Sequence, residues 1–224
     1  MKITWITQAG LLIETNGLTI MIDPYLSDSV GRIEGKHRRV AVDEALFDIC
    51  PDVMIFTHDH LDHYDPDTAP RFLTKKEKGM VVLSPHSCWM KAKAHGAPHN
   101  YVRFEPGVEW TEKGVRFISV PAEHSDPCAI GVVIEAEGKR MYVTGDTLYS
   151  NPVINTLPEN IDTVFLPVNG VGNNMNMQDA TRFAREIGAK RAVPLHYGLF
   201  DDLNPANFDF DNKVILESYK PAEF

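Results

Sequence analysis

Residues 54–65 read MIFTHDHLDHYD, which places His58, His60 and His63 with Asp59, Asp62 and Asp65 inside eight positions, directly behind an apolar run. In an extended or tightly turned segment, positions 58 and 60 point the same way and can share one ion. Asp62 and His63, at a helix start, can reach a second. One short motif thus offers ligands to two metals, and the rest of the chain must complete them.

Three later runs repeat the design. DVMIF leads to Thr57-His58; in the same way VRFISVPAE leads to His124, RMYVTG to Asp146 and RAVPL to His196. Each is an apolar β-type run that ends in a ligand type, and buried strands hold their ends rigidly enough for four termini to meet at one point. The predicted sets are His58, His60, His124 and Asp146 for one ion, and Asp62, His63, Asp146 and His196 for the other. The remaining histidines, His37, His86, His95 and His99, complete no set and are expected at the surface or behind the ligands.

Around these runs the chain alternates strand and helix patterns. KITWIT, LLIET and LTIMID are short and β-branched, separated by Ala9-Gly10 and by the tight-turn pair Asn16-Gly17. A helix is expected over 177–187, with Asn176 as its N-cap, Ala180, Phe183, Ala184 and Ile187 at helical spacing and Gly188 as its stop. Further helices are expected at 85–96, 65–76 and 42–49. Segment 27–45, SDSVGRIEGKHRRVAVDEA, is too polar for core and reads as a loop over a site. Strands in two batches, roughly 1–56 and 80–145 and each relieved by helices, predict an α/β, four-layer αββα sandwich. With 224 residues, 43% of them hydrophobic, one large core and a single domain over 1–224 are expected.

Thirty-one acidic against twenty-two basic residues, without a long like-charge run, argue against a generic grip on nucleic acid or anionic lipid. Cys50, Cys88 and Cys128 form no CxxC pair or disulfide frame. The start, MKITWITQAGLLIET, is an apolar stretch broken by Thr7 and Gln8 with no small-x-small cleavage site, and no run approaches the roughly 20 apolar residues that span a bilayer. A cytoplasmic location is expected.

The HxHxDH run, the isolated His124, the Asp of TGDT and the His of PLHYG resemble the metallo-β-lactamase-fold hydrolase superfamily, over nearly the whole chain from ITWITQAGLLIET to His196. Within it, IDPYLSDS and NGVGNNMNMQDA are most similar to the small cytoplasmic hydrolases grouped with L-ascorbate-6-phosphate lactonase. The resemblance implies an αββα sandwich, a dinuclear site of zinc or manganese at one edge, and hydrolysis. The complete ligand set, His124 included, puts metal binding ahead of a lactone substrate.

Two divalent ions held by neutral imidazoles and two carboxylates keep enough positive charge to bring a bridging water from a pKa of about 15.7 to near 7. The reading is therefore a dinuclear metal-dependent hydrolase of a small anionic metabolite, a lactone or a phosphate ester or diester, with Asp62, Asp146 and His196 at the reacting centre. Arg38 and Arg39 are expected at the substrate's anionic end, since the guanidinium fork suits phosphate and carboxylate. His86, Asn173 and Tyr197 are expected against the substrate, and Asp23 and Asp59 behind the imidazoles. The alternatives are a di-iron redox enzyme of the same fold, whose members carry glutamate where this chain has Asp59, and a non-catalytic metal-binding protein. The expected partner is a small-molecule substrate, with neither nucleic acid nor membrane, and a homo-oligomer is compatible with so small a chain.

Overall fold

A computed structural model describes residues 1–76 and 78–224. Among these residues, thirteen strands form two sheets: β1 (Lys2–Trp5), β2 (Leu11–Thr15), β3 (Leu18–Ile22), β4 (Val53–Ile55), β5 (Val81–Ser84), β6 (Asn100–Arg103), β7 (Glu109–Glu112), β8 (Val115–Pro121), β9 (Ile130–Ala136), β10 (Lys139–Val143), β11 (Thr163–Pro167), β12 (Arg191–Leu195) and β13 (Pro221–Glu223). The first sheet has the order β13-β1-β2-β3-β4-β5-β6 and the second β12-β11-β10-β9-β8-β7. Five α-helices accompany them in the described residues: α1 (Ser29–Glu34), α2 (Thr68–Leu73), α3 (His86–Ala94), α4 (Asn151–Ile154) and α5 (Met177–Glu186).

The period-2 alternation of the strands builds the layers. In β3, Ile20 and Ile22 face the second sheet and join Phe117, Ile130, Val132 and Phe165 in the central core. Met21, between them, faces outward with Leu12, Met54 and Val82 and is covered by Phe72, Leu73, Cys88 and Ala92 of α2 and α3. On the far side, Ala180, Phe183 and Ala184 of α5 close the central core from the second sheet. This is the αββα sandwich the strand and helix batches predict. Asn16-Gly17 turns with both residues at positive φ, 47° and 69°, as the hairpin joining β2 to β3 requires. Asn176 caps α5 by accepting from the backbone N–H of Gln178 and Asp179. Pro194 sits in β12, the edge strand of its sheet, where a missing N–H is tolerated.

Two expectations are corrected. Residues 42–49 form a 3₁₀ turn, Glu44–Asp48, capped by Asp43, in place of an α-helix. The polar segment 27–45 is no plain loop: it contains α1, which buries Ser29, Val30 and Gly31. Gly31 is small because His37 and Asp28 lie where its side chain would be, so one face of a polar helix packs closely without apolar bulk. Among the described residues no helix is long and apolar enough to cross a membrane.

Candidate metal centre

The ends of β4, β8, β10 and β12 open on one edge of the sandwich. Beyond β4 the chain runs through Phe56 and Thr57 and turns at once, with the His63 and Tyr64 N–H groups donating to the His60 carbonyl. That turn aims His58 and His60 one way and Asp62 and His63 another. Asp146 arrives through Gly145, whose φ is +61° and whose side of the backbone lies against Thr57 and the Ile130 carbonyl; a Cβ there would come within 2.8 Å of that oxygen. His196 itself adopts φ +61°, and its N–H donates to the Gln8 carbonyl at 2.9 Å.

Seven side chains converge. His60 Nδ1 lies 3.1 Å from His58 Nε2 and 3.1 Å from His124 Nε2. Next to them, Asp146 places Oδ1 3.3 Å from His63 Nε2 and Oδ2 3.1 Å from His196 Nε2, while Asp62 Oδ2 lies 3.2 Å from the same His196 nitrogen. His58, His60 and His124 form one potential metal-binding group and Asp62, His63 and His196 another.

The hydrogen bonds behind these atoms decide where the electron pairs point. Thr57 Oγ1 donates to Asp23 and therefore accepts from His58 Nδ1. His124 Nδ1 donates to the Asn173 carbonyl at 3.2 Å, and His63 Nδ1 to Asp23 Oδ2 at 2.8 Å. His60 Nε2 lies 3.2 Å from Ser125 Oγ. With those protons fixed outward, the inward nitrogens of His58, His63 and His124 carry lone pairs in the neutral rings. His63 Nε2 and Asp146 Oδ1 are buried without a hydrogen-bond partner although they face each other. Asn169 adds the same logic at His196, with its amide group 2.9 Å from Nδ1. A half-turn of that amide exchanges its nitrogen with its otherwise partnerless oxygen, so that Nδ1 donates to the oxygen and Nε2 turns its lone pair towards Asp62 and Asp146.

Charge marks the same spot. Burial works against a proton on His63, yet Asp146, Asp62 and Asp23 outweigh it and hold this imidazole well above the ordinary histidine range. Burial likewise opposes protonation of His196, and Asp146 and Asp62 overcome it, lifting the ring to about 9. The carboxylates respond in kind: despite burial, His196 and His63 hold Asp146 well below the usual carboxylate range. His58, by contrast, is kept neutral by burial and by His63 beside it. Clustered acceptors that draw positive charge inward suit divalent cations, and His and Asp are ligand types for such ions.

Three amide side chains stand against the ligands. Gln8, buried in the β1–β2 turn, donates Nε2 to Asp62 Oδ2 at 2.7 Å. Asn174 donates Nδ2 to Asp146 Oδ2 at 2.8 Å, and Asn169 meets His196 as described. In sequence Gln8 shows only in the polar pair Thr7-Gln8 interrupting an apolar run, both at positive φ, 74° and 51°, whereas Asn169 and Asn174 belong to an amide- and glycine-rich loop that reads equally as a pocket lining or a turn.

Other expected contacts fall elsewhere. Arg38 does not offer its fork to a substrate: its guanidinium donates to the carbonyls of Tyr25, Ser27 and Val40, to Thr7 Oγ1 and to the Tyr219 hydroxyl. Arg39 pairs with Asp202 and the Asp201 carbonyl. His86 is exposed at the start of α3, Tyr197 is buried against Trp5, and Asn173 contributes its carbonyl to His124 and not a side chain to the cavity. Asp23 stands behind His63 as expected, whereas Asp59 pairs with Lys91 at 2.7 Å.

A family model described as the beta-lactamase superfamily domain matches residues 19–197 of the chain. The chain belongs to the metallo-β-lactamase superfamily. A UPF0173 metal-dependent hydrolase of Geobacillus sp. (strain WCH70) is 31% identical over 220 residues, covering 89% of this chain and 87% of its own. Among solved structures, a metallo hydrolase from the hyperthermophilic archaeon Ignicoccus hospitalis superposes with a TM-score of 0.78 at 20% identity, over 100% of this chain and 98% of that one. An isothiocyanate hydrolase from Delia radicum gut bacteria gives 0.77 at 21% identity, over 100% and 99%. These two share the fold. This superfamily member is a metal-dependent hydrolase.

Proposed function

We propose that the protein is a dinuclear hydrolase of a small molecule, one divalent ion held by His58, His60, His124 and Asp146 and the other by Asp62, His63, Asp146 and His196. The observation that carries this reading is the pair of adjoining acceptor clusters, the His58 and His63 rings 3.9 Å apart between them, with His63 Nε2 and Asp146 Oδ1 3.3 Å apart and unbonded. Bound there, such ions supply two things: a water whose pKa falls from about 15.7 to near 7, and polarisation of a carbonyl or phosphoryl oxygen.

The chain's own residues do the rest. Asp146, pinned by Asn174, meets His63 and His196 of the second cluster. Asp62 is the more exposed of the two carboxylates, 18% against 5% at the side chain, and forms part of the cavity wall. It is the carboxylate placed to hold the attacking water's proton, and Gln8 fixes its orientation. The bonds within this reading are those of carboxylic esters, lactones and phosphate esters or diesters.

The test is metal content and hydrolysis together. Protein loaded with zinc or with manganese should retain about two equivalents per chain, as a two-metal site requires, and turn over one class in a panel of lactones, carboxylic esters, thiolesters and phosphodiesters. His124→Ala and Asp146→Ala should each lose metal and that activity. Undiminished metal content in both variants, or turnover that survives chelation, would refute the assignment.

A further inference from the structure

The cavity at the metal centre encloses about 400 Å³, and its lining describes the molecule it accepts. One wall is apolar and continuous. Val30 from α1, Leu61 from the ligand turn and Phe200 from the loop after β12 line the cavity, and all three pack into a single cluster around buried Tyr25 and Leu199. Val171, 63% exposed on the loop after β11, adds an apolar residue to the lining. The remaining lining is not built for anions. Apart from the ligands, the described residues there carry the acids Glu34, Asp59 and Asp201 against one cation, Lys36, which pairs with Glu34 at 3.8 Å.

The two arginines nearest in sequence are spent elsewhere, and Arg38 shows why. Its five hydrogen bonds and its position over the Tyr25 ring, 5.4 Å from the centroid, tie the segment carrying α1 to the body of the protein. The loop that looks like an anion clamp in sequence thereby presents Val30 to the cavity.

We infer that the substrate is an uncharged carboxylic ester or lactone whose acyl arm is apolar and lies along the Val30–Leu61–Phe200 wall, with the scissile carbonyl at Asp62 and His196. This rests on the dinuclear reading and narrows it, removing phosphate esters. In the reaction, water oxygen bonds to the acyl carbon as the bond from that carbon to the alkoxy oxygen breaks. One water proton passes to the departing alkoxide, and the other is released with the carboxylate. An apolar arm gains from the wall in proportion to its length, whereas a phosphate dianion meets Asp201 and two acids already paired with lysines, Glu34 with Lys36 and Asp59 with Lys91, and finds no guanidinium among the described lining residues.

Straight-chain alkyl hydroxamic acids, which anchor on divalent metals, test the arm without needing turnover. Their dissociation constants for zinc-loaded protein, measured by calorimetry from acetyl to octanoyl, should fall by about fourfold per methylene until the wall is covered. Phe200→Ala should flatten that slope, weakening the octanoyl probe many-fold more than acetohydroxamate. Val171→Asp, on an exposed loop, should weaken the longer probes selectively and keep the fold intact. In parallel, p-nitrophenyl hexanoate should be turned over faster than both the acetate and bis(p-nitrophenyl) phosphate. Two retained zinc ions and acetohydroxamate binding with no chain-length dependence, or preference for the phosphodiester, would overturn the apolar arm and leave the metal centre standing. A protein that holds no zinc would overturn the dinuclear reading beneath it.

Discussion

Replacing Asp23 by Asn probes the centre without touching a ligand. Asp23 lies at the end of β3 with φ +42°, a conformation Asn tolerates as well as Asp. Its carboxylate accepts three hydrogen bonds, from the Thr57 N–H at 2.8 Å, from Thr57 Oγ1, and from His63 Nδ1 at 2.8 Å. An Asn side chain has one acceptor and one donor group. If the oxygen keeps the Thr57 N–H, the amide nitrogen faces His63 Nδ1, which must then accept. The ring proton moves to Nε2, where an electron pair is needed. Loss of such a partner behind a ligand lowers metal affinity by about 10–100-fold, or roughly 1.4–2.7 kcal/mol. Chelated Asp23→Asn protein titrated with zinc against a chromophoric chelator should show the binding step that uses His63 weakened by that factor. The step that depends on His58, His60 and His124 should weaken as well, because Thr57 Oγ1 donates to the same Asp23 oxygen and without that acceptor no longer holds the proton on His58 Nδ1. A folded variant whose two steps both stay within twofold of wild type would refute the role given to Asp23.

Other perturbations read other parts of the architecture. In chelated protein, burial of His196 is outweighed by Asp146 and Asp62, which raise its pKa to about 9. A raised imidazole contributes stability that is complete below its unfolded value, near 6.5, and is lost as pH climbs through about 9. The Tm of chelated protein should therefore fall between pH 7 and 9.5 while that of zinc-loaded protein holds; parallel curves would count against the pairing. Gly145→Ala places a Cβ at positive φ and 2.8 Å from the Ile130 carbonyl, and should cost about 1–3 kcal/mol in urea unfolding; an unchanged midpoint would show that this backbone yields. Arg38→Ala removes five internal hydrogen bonds and should lose roughly 2–4 kcal/mol of stability. Arg39→Ala, at an exposed pair, should lose under about 1 kcal/mol, and equal losses by the two would contradict the different roles assigned to them.

What sequence discloses here follows physical range. The layers are written in period-2 alternation, as at Ile20, Met21 and Ile22, and α5 in its apolar spacing between Asn176 and Gly188, because each is a local pattern repeated over several residues. The seven converging side chains are legible for a related reason, since His58, His124, Asp146 and His196 each close an apolar run and His60, Asp62 and His63 crowd into the turn just after the first. Gln8 is not legible, and Asn169 and Asn174 are legible only as members of a polar loop able to line a pocket, for amides occur in any turn and their role depends on partners 27 to 188 residues away. Arg38 misleads because a guanidinium satisfied by carbonyls looks the same in sequence as one waiting for a phosphate. Tyr197 misleads by adjacency: His196 at positive φ turns the chain so that its neighbour faces Trp5 in the core. Segment 42–49 has helical apolar spacing, but Asp43 caps a single tight turn that ends at Ile49 in extended backbone.

The four converging strand ends come from both layers: β4 belongs to the first sheet, and β8, β10 and β12 to the second. Any ion shared between His58 and His124, or between His63 and His196, is thus a rivet through the seam of the sandwich as well as a reagent. An ion at a thousand times its dissociation constant contributes about 4 kcal/mol to folding, comparable with a disulfide in a chain whose three cysteines are all free. Metal scarcity would then remove catalyst and fastener at once, opening the sandwich at the edge where the chemistry takes place. The steady amount of this protein in a cell should track metal supply through its turnover by proteases, independently of how fast it is made.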